Sequence, residues 1–396
     1  MYIKELHLEN FRNYDHLDIE FDPKINLILG NNAQGKTNIL ESIYLSSCGK
    51  SFRTSKDNEM IGFGANFCRV GVKALKGNGK EVKIEIAISK EKKAANVDGI
   101  PVKKATDILK NIYVVAFTPE DLRIVKDEPE KRRRFLNREI CQLKGSYSTY
   151  LSLYRRALHQ RNTLLKENHV DQSLLASYDE ELVKYGVPLI KERTFFYEKV
   201  AKISKGIHED ITGHKESLKI TYEPSIPIAG ENENQKDLFF NELEMSRDND
   251  IRIHHTTKGP HKDDIKLTID NVDIRHYGSQ GQQRTAALAL KLAEVRIIKE
   301  ETGESPILLL DDVMSELDSE RQAYMIESFG DVQLFVTTTD LYDQVKESFK
   351  TGKVFNISKG VAKNKEEAEK TAQSVDTEKK KELLEKKLGK LLGDKK

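Results

Sequence analysis

An α/β fold, split by a mainly helical insertion and trailed by a charged tail, follows from three features of the sequence. Short apolar runs occupy the chain up to residue 118 and recur after residue 246. Between them, apolar residues return every three or four positions, the period of an amphipathic helix. Near the end the composition collapses to Lys, Glu, Ala and Thr. The sequence therefore divides into 1–118 and 246–360, the two parts of one α/β domain, around a helical arm at 119–245, with a low-complexity tail at 361–396. A chain of 396 residues, 38% hydrophobic and 33% charged, has the length and the apolar content for two or three such units.

Taken in order, Tyr2 to Leu8 and Leu17, Ile19 and Phe21 alternate apolar with polar, as strands do. Asn26 to Leu29 is a short apolar run ending at Gly30. Val70 to Val72 and Val82 to Ile88 flank the turn Gly77-Asn78-Gly79 and predict a hairpin, with another turn at Asp98-Gly99. Ile112 to Phe117 is a strand stopped by Pro119. The helical period then runs from Asp121 to about Thr212, through Tyr147, Tyr154 and Leu158, Tyr178, Leu182 and Tyr185, and Phe196, Val200, Ile203 and Ile207. Pro188 is expected to kink or break it, because proline lacks the amide hydrogen and clashes with the preceding turn. Long helices folded back on one another predict a protruding arm. After a mixed segment at Lys219 to Asp250, strands at Ile265–Ile269, Ile307–Leu310, Gln333–Val336 and Val354–Ile357 alternate with helices at Gly281–Glu301 and Ser319–Ser328. In the tail, Leu383, Leu384, Leu388, Leu391 and Leu392 share one helical stripe, which either docks a partner or belongs to a charged solubilising tail.

Gly30-Asn31-Asn32-Ala33-Gln34-Gly35-Lys36-Thr37 matches G-x-x-x-x-G-K-[ST] between an apolar strand and a helical segment. Gly30 and Gly35 let the backbone curl so that its amides face a phosphate, and the following helix aims its positive end there. The loop predicts ATP as ligand. Lys36 reaches the β- and γ-phosphates and the Thr37 hydroxyl binds Mg2+. Leu308-Leu309-Leu310-Asp311-Asp312 reads as a buried parallel strand running into two acids, at the sheet end where α/β folds place ligands. Asp311 is the candidate Mg2+ ligand, and Asp312 the candidate base for the attacking water.

Tyr277-Gly278-Ser279-Gln280-Gly281-Gln282-Gln283-Arg284-Thr285 resembles the signature of ABC-type ATPases, L-S-G-G-Q, and precedes the Asp311 strand by about the usual thirty residues. Ser315-Glu316-Leu317-Asp318 resembles the D-loop. The resemblance implies an ABC-type head in which Ser279, Gln280, Gly281 and Gln282 of one subunit close on ATP held by another, so that Ser279 joins Lys36 and Asp312 as a catalytic group. Three departures weaken that apparatus and predict slow hydrolysis. Val336-Thr337-Thr338-Thr339-Asp340 stands where many ABC proteins carry a switch histidine, no glutamine falls between Gln34 and Gln142 to serve as the Q-loop residue, and Asp312 replaces the commoner glutamate.

Ile3-Lys4-Glu5-Leu6-His7-Leu8-Glu9-Asn10-Phe11-Arg12-Asn13-Tyr14 is similar to the opening of the SMC/RecF group of DNA ATPases. Gly49-Lys50-Ser51-Phe52-Arg53-Thr54, Thr118-Pro119-Glu120-Asp121-Leu122, Arg132-Arg133-Arg134-Phe135-Leu136 and Gly259-Pro260-His261-Lys262-Asp263-Asp264 narrow the resemblance to the bacterial RecF family, over about residues 1–358. That resemblance implies an ATP-dependent homodimer that clamps DNA, preferably duplex near a single-strand gap, and lets go on hydrolysis. It further implies work with RecR and RecO to load RecA, in recombinational repair, replication restart and the SOS response.

Lys and Arg total 65 against 64 Asp and Glu, so any DNA site must come from local clustering. The candidates are Arg132, Arg133 and Arg134, with Arg138, and Arg155 and Arg156, with Arg161. Each cluster reads either as a set of phosphate contacts or as a solvated helix face. His254, His255, His261, Asp263 and Asp264 fit no zinc spacing and read as structural or close to the nucleotide pocket. Cys48, Cys68 and Cys141 form no C-x-x-C pair, and neither a signal peptide nor an apolar run of membrane-spanning length is present, which points to the cytoplasm. Three other readings stay open: a transporter's ATPase subunit, a scaffold that holds ATP without cleaving it, and an SMC-type chromosome organiser.

Overall fold

The computed structural model describes residues 1–102, 106–328, 330, 332–339, 352–358 and 360–364. Three strands open the chain: β1 (Tyr2–Phe11), β2 (Tyr14–Glu20) and β3 (Ile25–Leu29). Helix α1 (Lys36–Cys48) follows the glycine-rich loop. Next come β4 (Phe67–Leu75), β5 (Glu81–Ser89), β6 (Lys93–Val97), β7 (Ile100–Pro101), the single turn α2 (Thr106–Leu109) and β8 (Val114–Phe117). The helical segment comprises α3 (Pro129–Leu143), α4 (Gly145–Leu164) and α5 (Gln172–Ile211), then β9 (Leu218–Glu223) and α6 (Gln235–Ile253). The chain returns through β10 (Asp264–Ile269), β11 (Val272–Asp273), α7 (Gln280–Thr302), β12 (Ile307–Asp311), α8 (Ser319–Glu327), β13 (Leu334–Thr338), β14 (Lys353–Ser358) and β15 (Val361–Asn364).

Two six-stranded sheets organise these elements. One is antiparallel, in the order β2-β1-β4-β5-β6-β7, and the other runs β15-β14-β3-β13-β12-β8 with every pair parallel except the β14–β15 edge. Apolar residues dominate the central strands of the parallel sheet, because both of its faces are covered. The strand period of two sends Val115, Phe117, Leu308, Leu310, Leu334 and Val336 to one core, shared with the helices. It sends Val114, Ala116, Ile307, Leu309 and Phe335 to a second core, shared with α1 and the inner face of the antiparallel sheet. Sandwiched between two sheets, α1 is buried on nearly every side, Glu41 included.

The helical segment is joined to the α/β part by a shared core. Its apolar stripes, from Tyr147 and Tyr154 on α4 through Leu182, Leu189, Phe196 and Val200 on α5, merge with Ala286 to Ile298 of α7 in a single core. Pro188 neither breaks nor ends its helix, since α5 continues for 40 residues around it. Helix continuity there rests on tertiary packing. A Cβ on neighbouring Gly186 would lie 2.5 Å from the Phe239 ring of α6 and 3.2 Å from Tyr154 of α4, so three helices meet at that glycine. Helix α6 runs through residues 245 and 246, where the sequence places a boundary. The mixed segment resolves into a three-stranded sheet, β11-β10-β9, and β15 begins where the tail was expected, at Val361. The leucine stripe at 383–392 lies outside the described residues.

Candidate nucleotide site

Strand β3 delivers the glycine-rich loop to the C-terminal edge of the parallel sheet. Gly30 has φ +155°, and a Cβ there would come 2.5 Å from the Ile357 carbonyl oxygen of β14. Gly35 has φ +116°, a left-handed value, and a Cβ would meet the Asn13 side chain at 2.7 Å and the Tyr14 hydroxyl at 2.8 Å. Those two side chains support the loop from outside. Asn13 Nδ2 donates to the Gln34 carbonyl at 2.8 Å and Tyr14 Oη to the Gly35 carbonyl at 3.1 Å. Asn31, Asn32 and Ala33 are exposed at the tip of the turn. Lys36 is buried, its ammonium donating to the Gly30 carbonyl at 2.6 Å and the Asn31 carbonyl at 3.4 Å.

Strand β12, two strands from β3, brings the acids to the same edge. Thr37 Oγ1 and Thr337 Oγ1 both donate to Asp311 Oδ1, each at 2.8 Å. Asp312 sits at φ +53°, a left-handed conformation uncommon for any residue but glycine. Its backbone amide donates to Thr337 Oγ1 at 3.0 Å and to the Thr337 carbonyl at 3.2 Å. Burial pushes the Asp312 carboxyl above the usual carboxylate range, and Asp311 adds to the rise while Lys36 opposes it. A carboxylate of raised pKa is a stronger base, which suits a group that takes a proton from water. Thr337, which fills part of the expected switch position, braces both acids from β13. Asp340 lies outside the described residues.

A cleft of about 460 Å3 opens beside Thr37 and Asp311, lined also by Arg53, Thr118, Glu120, Lys131 and Arg134. Thr118 to Asp121 leave the end of β8, so this segment occupies the edge where a Q-loop glutamine was sought. Sequence reasoning missed the residues that hold the loop's surroundings. Glu41, fully buried on α1, accepts from Arg12 at 2.6 and 2.9 Å, from Ser51 at 2.5 Å and from Arg53 at 3.3 Å. Arg53 also donates to Asn38 at 2.7 Å, and Asn38 to Asn13 at 2.7 Å. The available signal was a carboxylate flanked by Ile39, Leu40 and Ile43 on a helix, which once buried demands cationic partners.

Ser279 caps α7. Its Oγ accepts from the Gln282 amide at 3.2 Å, and Gln282 Oε1 accepts from the Ser279 amide at 3.0 Å, a reciprocal capping box. Gln282 Nε2 also donates to Glu216 at 2.9 Å. None of Ser279, Gln280, Gly281 and Gln282 lines the cleft beside Thr37 and Asp311. Arg284 of α7 binds the Glu316 carboxylate and carbonyl, each at 2.7 Å, which ties this helix to the Ser315–Asp318 loop.

The expected DNA contacts separate by burial. Arg132 is 1% exposed and donates to both Asp264 oxygens at 2.7 and 2.8 Å, so it cannot meet a phosphate and is corrected to an internal brace. Arg133 is half-buried, donating to the Asp263 carbonyl at 2.7 Å. Arg161 is likewise buried, between Asp179, Asp250 and Thr256. Arg134, Arg155 and Arg156 are exposed. In the histidine segment, His261 accepts from Tyr154 Oη through Nδ1 at 2.7 Å and donates from Nε2 to the Thr256 carbonyl at 3.0 Å. That pairing fits a neutral ring, and burial brings its pKa down to about 3. Asp263 and Asp264 are occupied by Arg193 and Arg132, which makes this turn a structural junction.

Residues 2–363 match the RecF/RecN/SMC N-terminal domain family. The DNA replication and repair protein RecF of Agathobacter rectalis is 45% identical over 365 residues, spanning 91% of this chain and 98% of its own. The chain belongs to the RecF family. The RecF protein of Clostridioides difficile is 44% identical over 362 residues, 91% of this chain and 97% of its own. Among solved structures, the recombination mediator protein RecF with ATP, in the RecFOR pathway, matches with a TM-score of 0.84 and 38% identity, covering 92% of this chain and 97% of that one. An SMC head bound to a domain of ScpA, 16% identical with a TM-score of 0.54, shares the fold alone. The architecture is therefore that of RecF and SMC heads, an ABC-type ATPase fold.

Proposed function

We propose that this RecF-family chain is an ATP-dependent DNA-binding protein of recombinational repair and replication restart. In this reading ATP joins two copies into a clamp on duplex DNA near single-strand gaps, and slow hydrolysis releases it. The observation that carries the proposal is the convergence of Lys36, Thr37, Asp311 and Asp312 from two strands at one sheet edge, with Ser279–Gln282 held apart on a rigid, exposed helix start. A site split in this way leaves one half to be supplied by a second copy. The likeness to a RecF structure with ATP supports the same reading.

The Thr37 hydroxyl and the Asp311 carboxylate, 2.8 Å apart, form an oxygen donor set suited to Mg2+. Thr37 and Asp311 would hold Mg2+ there, and the ion would supply positive charge against the phosphates of ATP. Lys36 exchanges its loop carbonyls for phosphate oxygens, the loop amides hold the β-phosphate, and Asp312 takes the proton of the attacking water. Ser279 and the amides at the start of α7 face the γ-phosphate of the other copy. Loss of that phosphate removes the charge bridging the two halves, and the dimer opens. Arg134, Arg155 and Arg156 hold the DNA backbone, and the protein acts in the cytoplasm with RecR and RecO to load RecA. The RecFOR pathway named for the solved relative supports that choice of partners.

A second reading, a nucleotide-switched scaffold that does not hydrolyse ATP, is favoured by Thr337 in the switch position and by the absence of a glutamine between Gln34 and Gln142. No helix among the described residues is long and apolar enough to cross a membrane. Sedimentation velocity with duplex DNA, with and without ATP, tests the clamp on the native chain and on Lys36→Met. ATP-driven dimerisation and DNA retention in the native chain alone is the expected result. A chain that binds ATP yet stays monomeric and ignores DNA rules the clamp out.

A further inference from the structure

The outer face of the first hairpin carries a cluster that the nucleotide site does not use. In the β1–β2 register His7 lies opposite Asp18, and Glu9 opposite His16, so the strand period of two places all four on one face. Asp18 offers one oxygen to each imidazole. His7 Nδ1 lies 2.6 Å from Oδ1 and His16 Nε2 lies 2.8 Å from Oδ2. The two rings meet edge to face with centroids 5.2 Å apart. One ligand atom from each of the three residues falls within 4.8 Å of the others.

The neighbouring strand leaves room above this cluster. Gly71 of β4 is the cross-strand partner of His7, and a Cβ there would touch the His7 Cβ at 3.5 Å. A glycine inside a strand weakens it and often marks a place where something approaches the sheet closely. Here His7, Asp18 and Gly71 line a groove of about 810 Å3. Among the other charges on this face Glu5 pairs with Lys73 at 2.8 Å and Glu9 with Arg69 at 3.4 Å, while Glu20, opposite Glu5, lines the same groove. The two imidazoles and the Asp18 carboxylate are the donor set that converges on one point.

We infer that His7, His16 and Asp18 form a site for a divalent transition-metal ion of the zinc class. Two imidazoles and a carboxylate are a ligand set that such ions take in tetrahedral geometry, leaving the remaining position to water. Metal bonds of about 2.0–2.1 Å place tetrahedral ligand atoms about 3.3 Å apart, so the His7–Asp18 and His16–Asp18 separations of 2.6 and 2.8 Å widen by about 0.7 and about 0.5 Å while the imidazole nitrogens, within 4.8 Å of each other, draw together. The ion takes the place of the protons in the two His–Asp bridges, and the imidazole protons move to Nε2 of His7 and Nδ1 of His16. Such an ion staples β1 to β2 two residues from Tyr14, whose hydroxyl supports the phosphate loop at Gly35. The staple therefore stiffens the hairpin that buttresses the nucleotide site.

Equilibrium dialysis of the full chain against Zn2+, with absorption spectra of the Co2+ form, tests the assignment. The native chain and His255→Gln bind a tight equivalent and show tetrahedral Co2+ bands. His16→Gln and Asp18→Asn lose both, while circular dichroism and ATP binding show that they remain folded. Zn2+ raises the melting temperature of the native chain and leaves that of His16→Gln unchanged. An equal stoichiometry in the native chain and in His16→Gln, or no tight equivalent in either, overturns the inference.

Discussion

Replacing Arg132 by alanine separates an arginine that builds the protein from those proposed to meet DNA. The guanidinium is 1% exposed, grips both oxygens of Asp264 at 2.7 and 2.8 Å, and reaches the carbonyls of Ile124 and Asp127 at 3.2 and 2.6 Å. Alanine leaves Asp264 and those carbonyls without their donor. Breaking a buried ion pair from one side costs about 3–5 kcal/mol. The Asp264 side chain keeps 20% exposure, so water recovers part of that, and the low end, about 3 kcal/mol, applies. At an ordinary denaturant slope the urea midpoint falls by about 1 M or more. DNA affinity measured across salt concentrations, under conditions where the variant is folded, keeps the native slope. Arg155→Ala with Arg156→Ala behaves in the opposite way: the urea midpoint is unchanged, and the slope of log K against log salt shrinks by about 0.9 for each phosphate no longer neutralised. A variant of Arg132 with native stability and a reduced salt slope would refute this division.

Other outcomes follow from the same geometry. Asp312→Asn keeps ATP binding and lowers turnover by about 10²–10⁴-fold, the usual worth of a positioned base, measured by phosphate release under saturating ATP. Because burial raises the Asp312 carboxyl, turnover in the native chain falls as pH drops through a value above the ordinary carboxylate range, and a pH–rate profile reads that limb. Burial and the neighbouring Glu139 hold the Glu294 carboxyl well above the usual range, so the folded chain keeps a proton that the unfolded chain releases. Its stability therefore declines as pH rises from the ordinary carboxylate range toward that raised value, and Glu294→Gln removes this part of the dependence in urea titrations at several pH values. Gly186→Ala forces a methyl to within 2.5 Å of the Phe239 ring and lowers stability by about 1–3 kcal/mol, seen as an earlier thermal transition.

How much of this was legible in the sequence varies with the range of the interaction. The strand–loop–helix at Gly30–Thr37 could be read because its signal is local: two glycines, a lysine and a threonine at fixed spacing between an apolar strand and a helix. The strand ending at Asp311 could be read because a run of four apolar residues before two acids fits a strand buried on both faces. Arg132 could not, because Arg132-Arg133-Arg134 looks alike at every position until Asp264, remote in sequence, claims the first of them. Pro188 misled for a similar reason. Local physics forbids it in a helix interior, yet α5 is held on both sides of it by Phe239, Tyr154 and the α7 core. Asn13, Tyr14 and Arg53 lie in stretches that carry the family resemblance, but nothing local assigns them a part in holding the loop. Their part emerges only when the hairpin and the segment after α1 fold against the loop.

The contact between Gly30 and Ile357 bears on how the protein is made. Strand β14 pairs with β3 along Lys353–Asn356, and the Gly360 amide donates to the Gln34 carbonyl at 3.3 Å. The ribosome emits the glycine-rich loop early, but the wall it leans on arrives more than three hundred residues later. A nascent chain stopped short of β14 carries every residue of the motif with one side of the loop missing. The loop's surroundings are thus complete only once β14 has been made and has paired with β3.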